Sequence, residues 1–173
     1  RRYHGHPLPV PRFHWIGSWL RLIQKGQLPA PLRVWLKEKM NQKRQVFVFV
    51  PSVSLSRDLT EILQREAFDR TVGVHAEDPH RHTRVADFRN GKINILVTTT
   101  ILERGVTVPG VEVCVVGADD PVFDECALVQ ISGRVGRSAE YPAGDLVFFH
   151  NGKTLAMVRA LGQIKQMNKE GAL

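Results

Sequence analysis

The sequence predicts an α/β domain of three layers, a mostly parallel central sheet with helices on both faces. Three observations predict it. Short β-rich apolar runs alternate with segments of helical period along most of the chain. The runs are continuously apolar, as strands buried on both faces read. The junctions carry glycine, proline or capping hydroxyls. A length of 173 residues suits one such domain with an extension, and not two full domains.

Residues 1–27 are rich in Pro, His and Gly, show no sustained period, and read as an irregular basic lead-in with at most one short strand. Pro29 and Pro31 suit a helix first turn, and Leu32, Trp35, Leu36 and Met40 carry that helix to about Gln42. The run VFVFVP from Val46 reads as a buried strand. Ser54 or Ser56 then caps a helix with Leu55, Leu59, Ile62 and Leu63 on one face. TVGVHA (71–76) is a strand, and His80 to Asn90 a helix closed by Gly91. INILVTT (93–99) is a strand, followed by the turn Glu103-Arg104-Gly105 and the strand VEVCVVG (111–117). A short helix from Leu128 to Ser138 precedes a last strand, DLVFFH (145–150). The closing helix, 153–169, sets Leu155, Val158, Leu161, Ile164 and Met167 at spacings of three.

The longest purely apolar run, Val46 to Val50, is far short of the roughly 20 residues a membrane-spanning helix needs. Cys114 lies in an apolar strand and Cys126 stands apart, so neither a disulfide framework nor a CxxC pair exists. A reduced, buried thiol at Cys114 fits a cytoplasmic location. The net charge of +7 is uneven: residues 1–45 hold ten Lys/Arg against the single acid Glu38, or +9, which leaves −2 for the remainder. Trp15, Trp19 and Trp35 lie in the same third. Basic charge interleaved with aromatics suits single-stranded nucleic acid, and the competing reading is a solvated basic surface with the indoles packed inside.

The segment richest in chemistry is Gln130-Ile-Ser-Gly-Arg-Val-Gly-Arg137. On a helix Gln130, Arg134 and Arg137 share a stripe, and two guanidinium groups there can meet phosphate oxygens bidentately. Gly133 and Gly136 each cost about 1 kcal/mol relative to Ala in a helix, which close approach of a nucleotide or another domain would explain.

QISGRVGR resembles motif VI of superfamily 2 helicases. ILVTTTILERGVTVPGVEV (95–113) resembles motif V, VFVFVPSV (46–53) motif IV, and VHAEDPHRHTRVADFRNGK (74–92) the segment between them. The wording of VHAEDPHR, TTTILERGVTVP, ALVQISGRVGR, FFHNGKT and HGHPLPVPRFHWIG is similar to the competence helicases that move transforming DNA into Firmicutes cells. Replication-restart helicases are the next most similar group, and a non-catalytic nucleic-acid-binding or docking module is the contrasting class.

The resemblance implies a RecA-like fold in which residues 28–173 are the second motor domain, with residues 1–27 leading in from a preceding RecA-like domain. It implies an ATP-dependent single-stranded DNA translocase in which Arg134 and Arg137 are arginine fingers and Gln130 supports them. Arg104, Gly105 and Gly133 look like nucleotide-coupling residues. Ser52, Thr98 and Thr99 look like contacts to nucleic-acid phosphates. ATP and magnesium would be held mainly by the other domain, and none is expected to bind this chain alone. Implied partners are single-stranded DNA, the N-terminal RecA-like domain and other competence proteins at the uptake channel. The implied location is the cytoplasm or the inner face of the cell membrane. Thr107 stands where DEAD-box proteins place a ribose-contacting Asp, and Gln130 replaces their His, so DEAD-box RNA chemistry is not implied.

Gly152-Lys153-Thr154 invites a P-loop reading, but GxxxxGK[ST] would place a glycine at Val147. Without Walker A and Walker B, the chain is expected to be inactive in hydrolysis alone. No GxGxxG follows a strand, which disfavours a dinucleotide enzyme. His4, His6 and His14, or Asp78, His80 and His82, lack zinc-type spacing, and no metal is expected.

Overall fold

A computed structural model of the chain describes residues 7–99, 110–135 and 144–171. Within them run β1 (Arg12–Trp15), α1 (Trp19–Gln24), α2 (Ala30–Asn41), β2 (Val46–Phe49), α3 (Val53–Arg65), β3 (Thr71–Val74), α4 (Arg81–Arg89), β4 (Ile95–Thr98), β5 (Glu112–Val116), α5 (Glu125–Ser132), β6 (Leu146–His150) and α6 (Leu155–Gly171). The strands form one sheet in the order β1-β6-β5-β2-β4-β3, with every pairing parallel.

The register explains why the strands read as unbroken apolar runs. Val97, Val48, Cys114 and Val147 stand side by side on four strands and feed the core beneath α1, α2 and α3. One residue along, Leu96, Phe47, Val113 and Leu146 form a row on the opposite face, beneath α4, α5 and α6. Each central strand therefore buries both of its sides, which is the three-layer arrangement expected of a parallel sheet. Burial pushes the Cys114 thiol well up, with the Asp145 charge adding to it, so the group stays a protonated, inert sulfhydryl.

Four details differ from the expectations drawn from sequence. Besides the one short strand allowed for it, β1, which pairs with β6 through Phe13 beside Phe148, the lead-in holds α1, which buries Trp19 and Ile23. Trp19 lies against Gly117, where a Cβ would meet its ring at 2.5 Å, and its Nε1 donates to Asp119 Oδ1 at 2.9 Å. The hydroxyl capping α3 is Ser52, which accepts from the Leu55 amide, rather than Ser54 or Ser56. Helix α5 starts earlier, at Glu125, because Asp124 caps it, and it ends at Ser132 rather than Ser138. In α6 the buried residues are Met157, Ala160 and Ile164, while Leu155 and Val158 are exposed. A spacing of three drifts by about 60° per step on a 3.6-residue helix, so five such positions cannot share a face.

Candidate functional site

Two loop regions matter: the C-terminal ends of β2 and β4, and the exit of α5. Ser52 follows β2 with extended backbone, and its oxygen accepts from the Leu55 amide at 3.2 Å. The hydroxyl expected to face a phosphate is thus also a helix cap. Thr98 ends β4, Thr99 follows it, and both are buried; the Thr98 hydroxyl, on the face shared with Leu96, has no hydrogen-bond partner. A buried hydroxyl without a partner is a costly group to keep.

At the other region, Gln130 is exposed on α5 and borders a cleft of about 420 Å³ with Asp124, Glu125, Cys126, Val129 and Gln163. Gly133 caps the helix with helical backbone (φ −71°). Beyond it the bonds tighten to three-residue turns: the Arg134 amide donates to Ile131 O at 2.9 Å and the Val135 amide to Ser132 O at 3.5 Å. Arg134 is half-buried, and desolvation pushes the pKa of its guanidinium down. Because α5 stops at Ser132, the stripe joining Gln130 to Arg134 is not a continuous helical one. Arg104, Gly105, Thr107, Gly136 and Arg137 lie outside the described residues.

In the basic, tryptophan-rich third, two of the three indoles and four of the ten bases have partners within the domain. Trp19 and Trp35 are buried, and only Trp15 of the three indoles is exposed, at 65%. Arg12 pairs with Asp145, Arg33 with Glu66, Lys39 with Glu112 and Asp145, and Arg44 with Glu112. Three acids from outside the +9 segment (Glu66, Glu112 and Asp145) thus offset part of its charge.

Two arrangements escaped the sequence reading. One is a cleft of about 330 Å³ among α3, β3 and α4, lined by Ser56, Arg57, Thr60, His75, Asp78 and Arg84 among others. Its signal was Ser56 and Thr60, four apart on α3 and both close to Gly73. The other is a buried charge cluster where β5 and β6 begin. Lys39 Nζ lies 3.4 Å from Glu112 and 3.1 Å from Asp145, and Trp35 Nε1 donates to Asp145 at 2.9 Å. Burial pushes the Asp145 carboxyl up, but hydrogen bonds from Arg12, Trp35 and Lys39 outweigh it and hold the pKa at about 2. Its signal was Lys39 on the apolar stripe of α2, three residues past Leu36. No group of three or more His, Cys, Asp or Glu among the described residues could hold a metal ion. No helix among them is long and apolar enough to cross a membrane.

A parallel sheet in this order, with Arg134 at the exit of α5, is the architecture of a helicase's C-terminal domain. The helicase conserved C-terminal domain model matches residues 29–139, and the chain belongs to that family. More particularly, it is 46% identical over 171 residues to the competence protein ComFA of Bacillus subtilis, covering 99% of this chain and 37% of that protein. The ComFA of Streptococcus pneumoniae is 38% identical over 174 residues, covering all of this chain and 40% of the relative. The chain thus spans well under half the length of these relatives. Among solved structures, domain 2 of the DEAD-box helicase Mss116p bound to an RNA duplex superposes with a TM-score of 0.66 at 21% identity, covering 92% of this chain and 67% of that one. Dbp5 of S. cerevisiae, bound to RNA and ADP BeF3, gives 0.65 at 21% identity over 91% of this chain and 39% of its own. These likenesses establish the RecA-like fold.

Proposed function

We propose that this chain is the second motor domain of an ATP-driven single-stranded DNA translocase acting in natural transformation. In this reading a preceding RecA-like domain binds ATP and magnesium, and Arg134 and Arg137 reach its triphosphate, with Gln130 supporting them and Arg104, Gly105 and Gly133 coupling the sites. Ser52, Thr98 and Thr99 grip the sugar-phosphate chain without reading sequence. The protein works on the cytoplasmic side of the membrane with other uptake proteins. The observation that carries the reading is membership of the helicase C-terminal family, with Arg134 half-buried at the turn that ends α5.

The test is ATP hydrolysis by this chain and by a longer protein containing it and the preceding domain, each with and without single-stranded DNA. Hydrolysis only by the longer protein, stimulated by DNA, is the expected result. Robust DNA-stimulated hydrolysis by the chain alone would overturn it.

A further inference from the structure

Deepening that reading and resting on it, we propose that Gly144 is a positioning residue for Arg134, acting through the side chain of Val135. Helix α5 ends at Ser132 and Gly133 follows, so little helical hydrogen bonding fixes the next residues. The Val135 amide reaches Ser132 O only at 3.5 Å. What holds Val135 is packing: it is 1% exposed and belongs to the core beneath α4, α5 and α6.

Gly144, just before β6, forms the floor of that seat. Its backbone is not left-handed, so any residue could adopt its conformation; the space is what demands glycine. A Cβ there would overlap Val135 Cγ1 outright, and would lie 3.3 Å from Glu112 Oε2 and 3.4 Å from Val111 O. Two of these three neighbours cannot give way. Val111 O is backbone. The Glu112 carboxylate is clamped by Lys39 Nζ at 3.4 Å, Arg44 Nη2 at 3.2 Å and the Asp145 amide at 3.1 Å. Arg44 also donates through Nε to Gly110 O at 2.9 Å, fixing the approach to β5. An added methyl therefore displaces Val135, and Arg134 is covalently next to it. A misplacement of about 1 Å at a catalytic group costs on the order of 100-fold in rate.

The experiment compares Gly144→Ala, Val135→Ala and the double variant in the longer, DNA-stimulated ATPase, with thermal melting of each. Gly144→Ala should lower kcat by about 10- to 100-fold, with KM for ATP and half-saturating DNA within about threefold of the parent, because positioning and not binding is lost. The double variant should recover most of that kcat, because the methyl added at Gly144 occupies the space vacated by the Val135 methyls. A merely structural glycine would instead lower the melting temperature and leave kcat per folded molecule within about twofold, which overturns the proposal. Recovery of melting temperature without recovery of kcat in the double variant also overturns it. Should Gly144→Ala fail to fold, the double variant is compared with Val135→Ala: a higher kcat supports the seat, and an equal or lower one overturns it. If Arg134→Ala leaves hydrolysis unchanged, the motor reading itself falls, and the positioning role with it. If Arg134→Ala is inactive and Gly144→Ala is not, only the positioning role falls.

Discussion

At the N-terminal ends of β5 and β6, Arg12, Lys39, Arg44, Glu112, Asp145 and the Trp35 indole close on one another. At the C-terminal end of β4 and the exit of α5, the described polar groups are held differently. The Thr98 hydroxyl is buried without a partner, and desolvation weakens the hold of the Arg134 guanidinium on its proton. Opposite charges at the first end satisfy their neighbours, so that end is architecture. At the second end the Thr98 hydroxyl is kept in costly surroundings, and Arg134 is partly withdrawn from solvent.

The widest separation between the two regions should come from Arg134→Ala and Lys39→Met in the longer ATPase. Arg134→Ala should lower DNA-stimulated kcat by about 10³-fold or more, with a melting temperature within a few degrees of the parent. A fall smaller than about tenfold would make Arg134 an ordinary half-buried surface residue.

The fold was largely legible because the central strands are buried on both sides, so VFVFVP and VEVCVVG declare themselves without help from neighbours. The short strand allowed for in the lead-in could not be placed, because the residues of β1 are mostly exposed and it is held by β6, over 130 positions away. The cap of α3 fell on Ser52 because the chain turns into the helix directly after Pro51. At the site, spacing singled out Gln130, Gly133 and Arg134, but not that α5 would end between them, since Gly133 serves as a cap. The fate of the basic third was illegible for a different reason. Whether Lys39 meets solvent or Asp145 is decided by a contact spanning more than 100 residues, which no local pattern encodes.

Lys39→Met should act in the opposite sense to Arg134→Ala. Removing one partner from a buried ion cluster is strongly destabilising, here about 3 kcal/mol because Arg12 and Arg44 remain. For a domain of this size that lowers the melting temperature by about 6–12 °C. The kcat of the folded enzyme should stay within about threefold, since Arg44 and the Asp145 amide still hold Glu112 beside Gly144. A variant that melts normally but hydrolyses poorly would erase the distinction between the two ends.

The smallest expected effect concerns acid. Asp145 has its pKa depressed to about 2, below the value near 3.8 it takes when unpaired. A depressed carboxylate contributes stability that is complete above about pH 4–5 and is lost as pH falls through about 2, because the unfolded chain takes up the proton first. At about 1.36 kcal/mol per unit, and less for a part-exposed group, the loss is about 1–2 kcal/mol. Melting of the chain between about pH 5 and pH 2 should therefore fall more steeply for the parent than for Asp145→Asn, which lacks the titrating group and starts less stable. The two curves should converge toward the acid end. Parallel curves across that window would mean that Arg12, Trp35 and Lys39 do not hold Asp145 as tightly as their distances imply, and that this end of the sheet is as open as the other.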